Sequence, residues 1–195
     1  MSRPGLRERK KIETLHRVQE EALRLFDEQG YEATTIEQIA EAAGVSPSTF
    51  YRYFPTKEDV VVQDEYDPVL AAVIERQPEG MPALAAVRAT LAELFAEFEP
   101  EDFERVHRRV KMILRVPALL GRQFQQSMLT QNLLAEGMAA RCGRPADDLE
   151  VRNFTAAVVA AWTTAIISWV ERGGDEDLAA VLDRCLAHLE AGVPL

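Results

Sequence analysis

Lysine is scarce in this 195-residue chain, with four residues against 18 arginines. Cysteine is scarcer still, at Cys142 and Cys185 only. Two isolated cysteines fit neither a disulfide framework nor a metal-ligand cluster, so ordinary reduced thiols and no metal are expected. The three histidines, His16, His107 and His188, lie far apart in sequence. There is no Gly-rich phosphate loop, no HExxH and no nucleophile elbow, so neither an enzyme nor a cofactor is expected. No run approaches the roughly 18 apolar residues of a membrane span. The most apolar stretch, Phe154 to Val170, is short and interrupted by three threonines and a serine. The basic N-terminus lacks the apolar h-region of a signal peptide. A cytoplasmic protein without a membrane partner is expected.

Apolar residues and negative charge are plentiful, at 47% hydrophobic and a net charge of −10. That charge argues against nucleic acid until its distribution is considered. Residues 1–57 hold nine basic and nine acidic residues, whereas residues 58–195 hold 13 and 23. Arg3, Arg7, Arg9, Lys10, Lys11 and Arg17 face only Glu8 and Glu13 in the first 17 residues. The N-terminal end is therefore locally positive on an acidic body, and local placement governs phosphate binding. A solvated basic tail has the same composition.

Helical periodicity dominates, with no convincing strand alternation. Ile12, Leu15, Val18, Ala22, Leu25 and Phe26 recur at spacings of three and four, predicting a helix over about 6–29 that Gly30 ends. A short helix follows around Ile36, Ile39, Ala40 and Ala43, with a capping box from Thr34 and Glu37 or from Thr35 and Gln38. Gly44 ends it. Ser46 can cap a third helix with Pro47 in its first turn, ending near Phe54. Two short helices joined at a Gly turn outline a helix-turn-helix. Beyond them, Pro and Gly breaks delimit helices near 57–76, 82–98, 101–116, 118–142, 147–172 and 175–191. The expected fold is all-α, with a three-helix N-terminal domain over 1–56 and a six-helix body over 57–195.

On the third helix Phe50 and Phe54, four apart, continue the face of Val45 and should be core. Ser48, Thr49, Tyr51, Arg52 and Tyr53 are then partly or fully outward. Small side chains near the start of this helix admit base edges, and a threonine offers a methyl or a hydroxyl there. Tyrosine hydroxyls commonly bond phosphate oxygens, and Lys57 supplies charge to the same backbone. Equally, Tyr51 and Tyr53 on periodicity alone could be half-buried core residues with wet hydroxyls.

The stretch LRLFDEQGYEATTIEQIAEAAGVSPSTFYRYFPTKEDVV resembles the DNA-binding domain of the TetR family of bacterial regulators. Phe26, Gly30, Thr35, Ile39, Ala40, Gly44, Val45, Thr49, Phe50, Tyr51, Phe54 and Lys57 stand at that family's spacings. The resemblance covers about residues 8–62. It implies a nine-helix homodimer that reads a double-stranded operator and is released by a small molecule held in the body. By position, Ser48 and Thr49 would touch bases, and Thr35, Tyr51, Tyr53 and Lys57 would bind phosphates. Pro47 and Ser48 replace the basic residue and glycine often found there, so base reading would lean on Ser46, Thr49 and Arg52. Arg52 also suits a plain surface role.

In this architecture the last two helices usually form the dimer face. Ala156, Ala157, Ala160, Ala161 and Ala165 would permit close approach, followed by Ile166, Trp169 and Val170. Leu178, Leu182, Leu186 and Leu189 form one stripe on the last helix, which an ordinary intrasubunit core would also require. Candidate walls for a lipophilic effector are Phe95, Phe98, Phe103, Met112, Arg115, Leu119, Phe124, Met128, Trp162 and Trp169. Arg108, Lys111 and Arg115 share a helix face that would suit an anionic amphiphile such as a fatty acyl-CoA. The body loosely resembles the acyl-CoA-binding branch of the family. Pairing of these bases with Glu97, Glu99, Glu101, Asp102 and Glu104 is the alternative. The function expected is a ligand-released repressor; an activator and a ligand-independent DNA-binding protein are the alternatives.

Overall fold

The computed structural model describes residues 6–63, 74 and 76–194, with side chains from Glu13 onward. The basic run before Glu13 therefore lies outside the described side chains. Every regular element among the described residues is a helix. Contacts divide the chain into two compact units. The first takes Met1–Gln63 and Lys111–Gln123, the second Asp64–Val110 and Phe124–Leu195. Residues 57–63 and 111–123, expected in the body, thus pack with the N-terminal unit.

In the first unit, α1 spans Leu6–Gln29. Val18, Ala22, Leu23 and Phe26 recur at helical spacing, and all are buried. Gly30 ends the helix at φ 89°, and its N–H donates to Phe26 O at 3.0 Å. Next, α2 spans Ile36–Ala42, and of the two capping boxes the one from Thr35 and Gln38 forms. Thr34 is buried instead, its hydroxyl donating to Gly30 O at 2.8 Å. Gly44, at φ 63°, begins the turn into α3, Pro47–Tyr53, which Ser46 caps. A single turn, α4, follows at Asp59–Val62, and Thr56 and Asp59 exchange bonds at 3.0 and 3.2 Å. Most of the helix expected over 57–76 lies outside the described residues.

The core of this unit joins Ile39, Ala40, Phe50, Phe54 and Val60–Val62 to the α1 face. Ile113 and Leu119 are buried in the same cluster, with Met112 and Val116 packed against it. Two of the expected pocket residues, Met112 and Leu119, therefore serve this core.

In the second unit, α5 spans Ala83–Phe95, α8 Leu149–Glu171 and α9 Leu178–Glu190. Two further helices, α6 over Pro100–Arg115 and α7 over Pro117–Cys142, each cross from one unit into the other. Packing of α9 on α8 and α5 buries Leu178, Val181, Leu182 and Leu186 within one chain. The leucine stripe expected on a dimer face is mostly intrasubunit core. Ala165, Trp169 and Val170 of α8 are buried likewise. Among the described helices, α8 alone is long and apolar enough to cross a membrane, at 23 residues and mean hydropathy 1.4. One face of it packs on α9, and a third of its apolar window is buried.

Polar staples complete the second unit. Arg141 donates to the carbonyls of Gln77, Pro78 and Met81 at 2.9, 2.7 and 2.7 Å. Arg88 on α5 reaches Asp183 and Glu190 on α9, both at 2.7 Å.

Candidate nucleic-acid interface and effector cleft

Pro at the first position of α3 and the Ser46 cap start the helix, and the two phenylalanines set its rotation. Phe50 and Phe54 are buried with ring centroids 5.6 Å apart. Ser46, Pro47, Ser48, Tyr51 and Arg52 are consequently exposed, and Thr49 and Tyr53 half-buried. Tyr51 is 48% exposed although its ring meets the edge of Phe50 at 5.8 Å. The half-buried-core alternative therefore fits Tyr53 better than Tyr51.

Three hydroxyls gather at the start of α3. Ser46 Oγ accepts the Thr49 N–H at 3.1 Å and lies 2.9 Å from both Ser48 Oγ and Thr49 Oγ1. Ser46 and Ser48 are exposed and Thr49 half-buried, a row of small hydroxyl side chains that suits close approach to base edges. Toward the other end, Arg52 stacks over the Tyr53 ring at 4.8 Å and donates to its hydroxyl at 3.3 Å. Thr35 is exposed, but its hydroxyl accepts from Gln38 N at 3.2 Å and its own N–H goes to Gln38 Oε1 at 2.9 Å. Only the hydroxyl hydrogen of Thr35 remains for a phosphate.

Lys57 is where the structure departs most from expectation. It is half-buried, and its Nζ donates to the carbonyls of Tyr31 and Thr34 at 2.9 and 3.1 Å. The ammonium also sits 4.2 Å from the Tyr31 ring centroid. Two of its three donors hold the α1–α2 loop, so Lys57 is first a structural cation and has one donor left for phosphate. No local spacing announces the neighbouring pair, Tyr31 Oη donating to Glu58 Oε1 at 2.6 Å. Burial raises the Tyr31 hydroxyl pKa, and the bond to Glu58 raises it further. Burial also opposes ionisation of Glu58, but bonds from Tyr31, its own backbone N–H and Thr56, with nearby Lys57, outweigh it and hold that carboxyl below its ordinary range. Phenol and carboxylate therefore keep these forms near neutral pH.

The second unit holds a cleft of about 840 Å³ between the first half of α6 and the turn joining α8 to α9. Phe98, Phe103 and Trp169 line it, together with His107 and Arg108. Trp169 Nε1 donates to Glu176 O at 2.7 Å, fixing the indole against that turn. Of the other expected wall residues, Phe95 is buried behind the cleft, 4.9 Å from the Phe98 ring and 6.2 Å from Phe103. Phe124 and Met128 face outward at 69% and 49% exposure. Trp162 is half-buried on α8 away from the cleft lining, and Arg115 is exposed at the end of α6. Of the basic stripe, Arg108 lines the cleft while Lys111 and Arg115 are exposed. His107 was missed because a lone histidine in a basic helix has no local signature.

Residues 19–63 match the family model described as bacterial regulatory proteins, tetR family. Residues 81–194 match that of the MftR C-terminal domain. TcmR, an HTH-type transcriptional regulator of Streptomyces glaucescens, is 36% identical over 186 residues, covering 91% of this chain and 82% of TcmR. The fold resembles that of SmeT of Stenotrophomonas maltophilia in complex with triclosan. The TM-score is 0.57 at 20% identity, over 89% of this chain and 90% of SmeT. It also resembles FadR of Thermus thermophilus in complex with lauroyl-CoA. There the TM-score is 0.53 at 23% identity, over 93% of this chain and 95% of FadR. With both family models matching in order along a helix-turn-helix and a helical body, the chain belongs to the TetR family of DNA-binding transcriptional regulators, which are not enzymes.

Proposed function

We propose that this regulator is a cytoplasmic homodimeric repressor that a lipophilic small molecule releases from its operator. The observation that carries the DNA reading is the outward face of α3, with Ser46, Ser48 and Thr49 hydroxyls at one end and exposed Tyr51 and Arg52 behind them. In this reading Ser46, Ser48, Thr49 and Arg52 contact bases, Pro47 packs against them, and Thr35, Tyr51, Tyr53 and the remaining Lys57 donor contact phosphates. The dimer face is the outward surface of α8 and α9, where Ala156, Ala157, Ala160 and Ala161 stay at least partly exposed. The effector favours a conformation with the two recognition helices wrongly spaced, and differential affinity for the two states drives release. A fatty acyl-CoA effector is the second reading, favoured by Arg108 at the cleft.

Fluorescence anisotropy on the protein's own upstream DNA, at stated salt, tests this reading. Tight binding that weakens with salt supports it. Absence of specific binding there and in an unbiased DNA selection would overturn it. Tyr51→Phe should weaken binding about three- to tenfold, the worth of one neutral hydrogen bond, and equally on different sequences. A loss confined to one sequence would show that Tyr51 reads bases. Thr49→Ala should change preference at one or two base pairs, measured on an operator series with single substitutions. Unchanged affinity and unchanged preference would remove Thr49 from the readers.

A further inference from the structure

The cleft of the second unit contains an unsatisfied atom. His107 Nε2 is buried and has no hydrogen-bond partner, and His107 is part of the cleft wall. Buried polar groups are nearly always paired, so an orphan in a cavity wall marks where a ligand group can pair with it. Aromatic surface surrounds it. The imidazole meets Trp169 edge-on, with centroids 5.5 Å apart at 85°. The Phe98 and Phe103 rings are 5.4 Å apart on the same cleft.

The Gly174 backbone packs close against this ring. A Cβ on Gly174 would stand 2.8 Å from His107 Cδ2 and 3.4 Å from Nε2, so only glycine backbone fits there. The cleft wall also has a charge bias. Glu104, Asp175, Glu176 and Asp177 line it against the single guanidinium of Arg108. An anionic ligand would meet more carboxylates than cations.

We propose that this cleft binds a neutral aromatic compound bearing a hydroxyl group, its ring among Phe98, Phe103 and Trp169 and its hydroxyl on His107 Nε2. The inference rests on the small-molecule-released regulator proposed above and assigns its effector class. A hydroxyl both donates and accepts, so it pairs with Nε2 in either imidazole tautomer.

Equilibrium dialysis of the full-length protein against 1-naphthol, naphthalene, tetraphenylphosphonium and lauroyl-CoA tests the proposal. The expected result is 1-naphthol binding about tenfold tighter than naphthalene and tighter than either charged probe. His107→Leu should erase the advantage over naphthalene, read as the ratio of the two affinities in the same variant. His107→Gln, whose amide donates and accepts, should retain most of it. Thermal melts by circular dichroism establish that each variant is folded. Should His107→Leu fail to fold, the probe ranking of the native protein and the His107→Gln result decide.

Equal affinity for 1-naphthol and naphthalene, a preference that survives His107→Leu, or tighter binding of either charged probe would overturn the assignment. Operator anisotropy run in parallel separates the two failures. DNA binding that lauroyl-CoA reverses, without a 1-naphthol preference, would sink the aromatic class and leave the regulator standing. A His107-dependent 1-naphthol preference in a protein that binds no DNA would do the reverse.

Discussion

Phe50→Ala is expected to destabilise the N-terminal unit by about 3–5 kcal/mol and to abolish operator binding. The residue is fully buried, and its ring lies between those of Tyr51 and Phe54, at 5.8 and 5.6 Å. Around it are Ile39 and Ala40 of α2 and the Val60–Val62 run, all in one cluster. A seven-residue helix cannot hold itself in water, so α3 owes its existence to this packing. Chemical denaturation followed by circular dichroism measures the loss, and anisotropy measures the binding. The control is Tyr51→Phe, which should alter DNA affinity and leave stability within about 0.5 kcal/mol because the hydroxyl end is solvated. A Phe50→Ala protein of native stability that still bound operator would contradict the core described for the unit.

The second large effect is expected at Arg122→Ala, with a loss of about 3–5 kcal/mol. Asp59 is 0% exposed, and its carboxylate takes the Thr56 N–H at 3.0 Å and the Arg122 guanidinium at 2.6 Å. Without Arg122 a buried carboxylate loses its cation. Most of the cost is that stranded charge rather than the worth of the pair. The double variant Asp59→Asn with Arg122→Met should therefore recover much of the stability. Arg24→Ala is the contrast, since it removes pairs to Glu21 and Glu28 at 2.7 Å on the exposed face of α1. Solvent screening and side-chain entropy leave surface pairs of that kind with little net worth. A loss below about 1 kcal/mol at Arg122 would class it with them.

Helix boundaries were legible because backbone chemistry punctuates this chain. Gly30 and Gly44 take positive φ where α1 and α2 end. Pro47 and Pro117 stand where α3 and α7 begin. The rotation of α3 was legible too, because Phe50 and Phe54 are four apart with polar residues between. Partners across the fold were less so. Periodicity shows that Leu178, Leu182 and Leu186 need a cover but not whether it comes from the same chain or a second copy. Met112 is a candidate cavity wall by residue type, yet α6 crosses between units and Met112 packs on the core of the first. Lys57 illustrates a further ambiguity. A lysine near candidate DNA-contacting residues invites a phosphate, but two of its three N–H donors serve loop carbonyls instead. His107 acquires meaning only when the α8–α9 turn folds over it, which no local spacing encodes.

The crossing of α6 and α7 bears on how such regulators can be recombined. Ile113 and Leu119 finish the core of the DNA-reading unit, and Arg122 neutralises its buried Asp59. A graft that exchanged only residues up to Gln63 would carry the recognition helix away from part of its own foundation. Swapping operator preference between relatives therefore requires the 111–123 segment to travel with the head, or its contacts to be matched in the recipient. The DNA-reading head is thus discontinuous in sequence, finished by a segment that lies far beyond its recognition helix along the chain.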